Sequence, residues 1–158
     1  WENSNQLNKI VQDPVSKDLQ QEYLDCIANG DQTNNAYIPT FDLTFILNNI
    51  LSLFNTHGGY LFCGIDPLNR LNCKLFDINN TPYLLKILNE FITDKLGTTC
   101  TKQIKMSMIL VNEILVLVIT VPASSQKMIQ TQINKKVIFY RNGKGIYQQN
   151  VNNQTKPR

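Results

Sequence analysis

The chain has 158 residues, of which 42% are hydrophobic and 17% are charged, and its formal net charge is +3. This composition is typical of one globular domain with its own core, and it excludes a disordered chain. The longest apolar run, ILVLVITV at residues 114–121, has the length of a strand, which excludes a transmembrane helix and predicts no membrane contact.

The first half of the chain contains one element of uncertain type and one clear helix. Residues 16–28 alternate weakly between polar and apolar positions, which fits either a strand or a short helix, and the Asn-rich run at 29–35 predicts a loop. Apolar residues then recur at spacings of three and four, which predicts a helix over about residues 40–55 with Thr40 as its cap.

The second half begins with the segment NTHGGYLFCGID at residues 55–66, which predicts a turn at the two glycines followed by a strand. Thr81 as cap, Pro82 at the first helical position and Gly97 past the end delimit a second helix. Two strands joined at Asn112 and Glu113 follow as a hairpin, and a third strand leads into the turn NGKG and a short final strand.

These elements predict an α+β fold, with a mixed, mostly antiparallel sheet flanked by two main helices. We expect one domain over residues 16–150, with loose polar segments at 1–15 and 151–158. The four cysteines are Cys26, Cys63, Cys73 and Cys100. They lack the paired spacing of a zinc site and favour free thiols in a reducing compartment, which predicts an intracellular protein. We expect it in the cytoplasm more than in the nucleus.

Three segments in order resemble the Schlafen AlbA-like domain. A helix ending at residues 54–56 and followed by Gly-Gly and YLFCGID is similar to the family core AFANT-GG-L-IGVDD. The segments ILVLVITVPAS and VIFYRNGKGIYQQN resemble two later family strands, so the likeness covers roughly residues 16–150.

The resemblance implies nucleic-acid binding and, in the Schlafen nucleases, metal-dependent cleavage of structured RNA such as transfer RNA or small-RNA precursors. Those nucleases use two Glu in an E-x-x-x-x-E-F-K segment and an Asp after the Gly-Gly strand. Asp66 matches that Asp, and Glu22 matches the second Glu, whereas Lys17 and Leu24 stand where the family has Glu and Lys. A family site built from Glu22 and Asp66 would be both catalytic and metal-binding, with Mg²⁺ or Mn²⁺ as cofactor.

The chemistry of the residues supports a carboxylate site independently of the family. Phosphodiester hydrolysis requires a hard divalent cation, and such cations prefer carboxylate oxygens. Asp66 follows a strand and precedes Pro67, where it either faces a groove or opens a turn by accepting a hydrogen bond from its own backbone. Asp18 and Asp25 are further carboxylates near Glu22, although their spacing differs from that of the family.

The basic residues are concentrated in the last part of the chain. Residues 1–94 carry five Lys or Arg against eleven Asp or Glu, whereas residues 95–158 carry ten against one. The halves either neutralise one another in the fold or leave a basic surface for a polyanion. We predict nucleic-acid contacts at the densest basic cluster, beside two tyrosines that could stack on unpaired bases. The cluster consists of Lys135, Lys136, Arg141 and Lys144.

Three functions fit these observations. The chain is an RNA-binding, catalytically degenerate subunit of an endonuclease assembly, an active metal-dependent endoribonuclease, or a DNA-binding regulatory module. We favour the subunit, because Lys17 replaces one family carboxylate. The resemblance further implies a homo-oligomer or hetero-oligomer with other Schlafen-like subunits, because the larger Schlafen nucleases pair two lobes around the RNA and this chain has one.

Overall fold

The computed structural model of the protein describes residues 15–125, 129–132 and 135–150. The helices in these ranges are α1 (Lys17–Asn29), α2 (Leu43–Asn55), α3 (Thr81–Leu96) and α4 (Thr98–Thr101). The strands are β1 (Asn35–Ile38), β2 (Gly59–Cys63), β3 (Lys105–Val111), β4 (Ile114–Val121), β5 (Ile129–Gln132), β6 (Lys135–Asn142) and β7 (Gly145–Asn150). The α+β prediction is confirmed. The terminal segments that we expected to be loose lie outside the described residues, apart from residue 15.

Local capping explains why the ambiguous segment at 16–28 is a helix. The Ser16 side chain accepts a hydrogen bond from the backbone N–H of Leu19 at 3.1 Å, and Gly30 ends α1 with a left-handed φ of 76°. In α2 the cap is Asp42, which accepts from the N–H of Phe45 at 3.0 Å. The prediction of Thr40 as the cap was therefore two residues early.

Helix α3 ends where we predicted and starts one residue earlier. Asn80 precedes it, and Thr81 is already helical, so Thr81 is not the cap. Lys95 lies in the last turn and Gly97 follows the end. The following helix α4 was missing from the prediction, because four residues are too few to show a periodic pattern.

The first sheet has the strand order β1-β2-β4-β3. Strand β1 runs parallel to β2, while β4 is antiparallel to both β2 and β3. The β3–β4 hairpin turns at Asn112 and Glu113, whose φ angles are 52° and 68°. Positive φ at both central residues is the geometry of the turn that best matches strand twist. The sheet is therefore mixed and mostly antiparallel, as predicted.

Helices cover both faces of this sheet. On one face, Tyr23 and Ile27 of α1 pack in a cluster with Tyr37 and Phe62 of the strands. On the opposite face, apolar residues of α2 and α3 form the larger core. Among the described residues the sheet therefore has three long helices around it: the two main helices that we predicted and α1, formed by the segment that the sequence left as a strand or a helix.

The strands β5, β6 and β7 form a second, antiparallel sheet, which packs on the far side of α2. Val137 and Phe139 of β6 are buried against Leu47 and Leu51 of α2. Helix α2 is consequently enclosed between the two sheets, and nine of its residues are buried. This packing explains why α2 is the most apolar helix of the chain.

The backbone conformation explains why two glycines precede β2. Gly58 and Gly59 have φ angles of 71° and 140°, which L side chains rarely adopt. A Cβ atom on Gly59 would lie 1.8 Å from the carbonyl oxygen of Asn34. The second glycine thus permits the close approach that lets β2 start beside β1.

Candidate functional site

Glu22 lies on α1 and is tied to the first sheet. Its Oε2 atom accepts a hydrogen bond from the hydroxyl of Tyr60 in β2. Burial, and then the hydrogen bond to Glu22, raise the pKa of the Tyr60 hydroxyl above its usual value, so the tyrosine remains a donor at neutral pH. One oxygen of this candidate metal ligand is therefore engaged with the protein.

Glu22 shares its side of α1 with other carboxylates. Asp18 and Asp25 lie four residues before and three residues after it, and all three line a shallow depression of about 460 Å³. The alternative acids considered from the sequence are thus its neighbours in space. Within the described ranges, however, no group of three or more His, Cys, Asp or Glu side chains is arranged to hold a metal ion.

Asp66 opens the turn that follows β2. Its Oδ1 atom accepts a hydrogen bond from the N–H of Leu68 at 2.8 Å, and its backbone carbonyl accepts from the N–H of Arg70 at 2.8 Å. This is the turn-forming role that the sequence left open as an alternative. One oxygen of Asp66 is thereby also engaged with the chain.

The structure separates the two carboxylates along β2. Glu22 is bonded to Tyr60, near the start of the strand, whereas Asp66 follows the end at Cys63. Three residues of strand between Tyr60 and Cys63 correspond to about 10 Å. The two candidate carboxylates are therefore associated with opposite ends of β2.

Arg141 is placed differently from our prediction of a phosphate-binding surface residue. Its side chain is 5% exposed. The guanidinium donates to the carbonyls of Gln32 at 3.0 Å and Asn35 at 2.8 Å, and to Asn49 Oδ1 at 2.6 Å and Ser52 Oγ at 3.3 Å. Burial lowers its pKa to about 10, against the opposing charges of Tyr37 and Asp31. In this arrangement the guanidinium faces protein acceptors instead of a phosphate.

Strand alternation is the physical reason for this correction. Arg141 occupies the same side of β6 as Val137 and Phe139, which pack against α2. Its partners Asn49 and Ser52 are buried polar residues three positions apart on α2. Arg141 therefore connects β6 to α2 and to the loop before β1.

The opposite side of β6 presents a different surface, which we call the hairpin face and define as the outward side of β6 and β7. It carries the exposed Lys136 and the tyrosines Tyr140 and Tyr147, whose rings stack at a centroid distance of 5.6 Å and an interplanar angle of 26°. Tyr147 is 46% exposed, and Lys144 is exposed in the turn between the strands. The side chain of Lys135 lies outside the described residues. The structure thus groups two of the predicted lysines with the tyrosine pair.

The sequence interpretation missed two features. One is the buried polar network around Arg141, which Asn49 and Ser52 signal as polar residues three positions apart in an apolar helix. The other is a groove of about 1000 Å³ between α3 and β3, which depends on the packing of distant segments. The four cysteines are free, as predicted, and no helix in the described segments is long and apolar enough to cross a membrane.

Comparisons with known proteins agree with the fold. The sequence profile of the family described as "Schlafen, AlbA_2" matches residues 17–150. A search of curated proteins found no significant match. Among solved structures, the DIP2311 protein from Corynebacterium diphtheriae is similar, with a TM-score of 0.56 and 15% sequence identity, over 93% of this chain. The chain spans only 30% of the length of that protein, so this likeness shows the fold alone.

Proposed function

The chain belongs to the Schlafen AlbA_2 family over residues 17–150, and from this premise we propose that it is an RNA-binding subunit of a metal-dependent RNA endonuclease assembly. Its ligand in this proposal is structured RNA, such as transfer RNA or small-RNA precursors. The observation that carries the proposal is the hairpin face, where stacked Tyr140 and Tyr147 lie between the exposed Lys136 and Lys144.

The hairpin face combines the two interactions that unpaired nucleotides need. Aromatic rings stack on bases, which contributes about 1–3 kcal/mol per base, and lysines attract the phosphates between them. Tyr147 is 46% exposed and so offers ring surface to a base. The alternative that lysines merely protect a strand edge does not account for a stacked aromatic pair between them, with Tyr147 exposed and Tyr140 partly buried.

The charge distribution supports the same ligand. Residues 95–158 carry ten Lys or Arg and one Asp or Glu. A polyanion that contacts several of these side chains releases its counterions, so its affinity falls as salt rises. We therefore expect the affinity for RNA to decrease steeply between low and physiological salt.

We assign the chain a subunit role because each of its two family carboxylates has one oxygen engaged in a hydrogen bond within the chain. Glu22 accepts from Tyr60, Asp66 accepts from its own turn, and the strand β2 separates them. In this proposal Mg²⁺ or Mn²⁺ is held by a catalytic relative in the assembly, and this chain contributes RNA affinity and orientation. The rival proposal, an active nuclease, requires Asp18 or Asp25 to complete a site with Glu22.

Equilibrium binding of fluorescently labelled transfer RNA tests the binding claim. We expect Tyr147→Ala to weaken binding by about tenfold, because it removes one stacking platform. Lys136→Ala and Lys144→Ala should each lower the magnitude of the slope of log affinity against log salt concentration by about one, because each removes one phosphate contact. Lys86→Ala, an exposed lysine of α3, is the matched control and should leave binding unchanged.

Two outcomes of this experiment contradict the proposal. Equal loss of affinity in the Lys86 control would show non-specific attraction instead of a defined face. Tighter binding of duplex DNA than of folded RNA would favour the DNA-binding alternative.

A cleavage assay separates the subunit from the active nuclease. We expect the purified chain to leave end-labelled structured RNA intact in the presence of Mn²⁺. Metal-dependent cleavage that is lost in both Glu22→Gln and Asp66→Asn would contradict the subunit role and make this chain the catalyst.

A further inference from the structure

A second surface, distant in sequence from the hairpin face, has no role in the proposed function. We call it the α3–β3 groove, an open cleft of about 1000 Å³ between α3 and the outer strand of the first sheet. Ile104, Met106, Met108 and Leu117 supply apolar groups to it, and Leu85 does so from α3. Its chemistry is therefore that of a binding cleft with an apolar interior.

The strand beside the groove is a free edge in the described part of the chain. The order β1-β2-β4-β3 places β3 at the end of its sheet, paired with β4 alone. An edge strand presents unpaired N–H and C=O groups, and proteins normally protect such edges with charged residues or proline. After Lys105, β3 reads MSMILV and has neither kind of protection.

The exposed apolar residue of β3 lies on the same side as the groove. Leu110 is 45% exposed and alternates in phase with Met106 and Met108, both of which contact the core that includes α3. The edge is therefore both open for hydrogen bonding and apolar on the side that faces the cleft. These are the two requirements for a segment of another protein to add as a strand.

The charges around the groove specify the character of the partner. Two charged side chains line it, Lys86 on α3 and Lys102 just before β3, and both are exposed. Among the described residues that line the groove there is no carboxylate. The rim of the groove therefore attracts negative charge. The two lysines lie at different places on the rim, because one is in the first half of α3 and the other follows α4.

We propose that the α3–β3 groove binds an extended acidic segment of a partner protein, which adds to the edge of β3 as a further strand. In this complex the backbone of the segment pairs with β3, alternate apolar side chains enter the groove, and flanking carboxylates meet Lys86 and Lys102. The free strand edge favours a peptide over a nucleic acid, because a sugar-phosphate backbone cannot continue the hydrogen-bond ladder of a sheet.

A peptide-display selection tests this proposal even though the partner protein is unidentified. Random ten-residue peptides are selected on the purified chain and counter-selected on the double variant Lys86→Glu, Lys102→Glu. We expect the enriched peptides to alternate apolar residues with other residues and to carry Asp or Glu. A selected peptide should bind the double variant at least about fivefold more weakly, because both rim charges have been reversed.

Two matched controls distinguish groove binding from general attraction. Asn89→Trp places a large side chain in the groove and should abolish binding, whereas Glu90→Trp, at the next exposed position outside the lining, should not. Alternate backbone amides of the peptide can be N-methylated in two ways, at the odd or at the even positions. One of these two sets should weaken binding, because it removes the amide hydrogen bonds that pair the peptide with β3. Bound peptide should also slow amide hydrogen exchange in β3.

Several results would overturn the proposal. It fails if no peptide is enriched, if the enriched peptides are basic, or if Asn89→Trp and Glu90→Trp bind alike. It also fails if neither set of N-methylated amides weakens binding. If the double lysine variant loses affinity for a single-stranded RNA decamer while Lys136→Ala retains it, the groove is a nucleic-acid surface instead, and the proposed role of the hairpin face fails separately.

Discussion

Replacement of Arg141 by methionine tests the conclusion that this residue holds the fold together and does not bind RNA. The side chain is 5% exposed and donates four hydrogen bonds to Gln32, Asn35, Asn49 and Ser52. Methionine retains much of the volume but donates none of these bonds. The substitution therefore leaves the buried Asn35 carbonyl, the buried Asn49 amide oxygen and the part-buried Gln32 carbonyl without this donor.

The expected cost follows from these orphaned acceptors. A buried polar group left without its partner costs about 1–3 kcal/mol, so two buried acceptors and one part-buried acceptor together cost roughly 4 kcal/mol. Since small domains are stable by about 5–15 kcal/mol, this loss is a large fraction of the total. Arg141→Lys keeps the charge but cannot span acceptors on several sides with one ammonium group, and we expect a loss of about 2–3 kcal/mol.

Urea unfolding followed by circular dichroism measures these differences. Lys144→Met is the matched control, because Lys144 is exposed in the same hairpin and should change the free energy of unfolding by less than about 0.5 kcal/mol. The reasoning is refuted if Arg141→Met costs less than about 1 kcal/mol and weakens RNA binding as much as Lys144→Ala does. That result would return Arg141 to the surface role that the sequence predicted.

Two further predictions concern stability. Gly59→Ala should destabilise the fold by more than about 2 kcal/mol in thermal unfolding, because its Cβ would lie 1.8 Å from the Asn34 carbonyl oxygen. Gly143→Ala is the control and should be nearly neutral, because its nearest contact would be at 3.9 Å. Equal effects of the two substitutions would contradict the close-approach explanation. Burial raises the pKa of the Cys63 thiol from 9.0 to about 12. Between these two pH values the folded state keeps the thiol proton, whereas the unfolded chain releases it. The contribution of the protonated thiol to the unfolding free energy is therefore complete below pH 9 and is lost as pH rises towards 12. Between neutral pH and about pH 10.5 the unfolding free energy should fall by on the order of 2 kcal/mol more in the wild type than in Cys63→Ala, and parallel pH profiles would contradict this.

Regular patterns in the sequence predicted the regular parts of the fold. The apolar spacing of α2, the punctuation of α3 by Pro82 and Gly97, and the hairpin turn at Asn112 are local signals, and each led to the right element. Strand β1 was missed because its four residues follow an Asn-rich loop and are buried through parallel pairing with a distant strand, β2. Such pairing leaves no local signal.

The candidate site was harder to predict because exposure depends on the whole fold. In the segment KVIFYR, both sides of the strand carry apolar residues, so the alternation did not show which side Arg141 occupies. The packing of β6 against α2 determines which side of the strand is buried, and it buries Arg141 while Lys136 remains exposed. Similarly, Glu22 and Asp66 matched family positions, but their separation along β2 follows from the course of the chain in space.

Ultraviolet cross-linking of folded RNA to the purified chain, followed by mass spectrometry of the cross-linked peptides, tests the central claim most directly. The account predicts that the cross-links fall on the hairpin face, with Tyr140 and Tyr147 as the principal sites, and that their yield falls strongly in Tyr147→Ala without loss of the folded state. Cross-links concentrated on α1 around Glu22, on the turn at Asp66 or in the α3–β3 groove would contradict it.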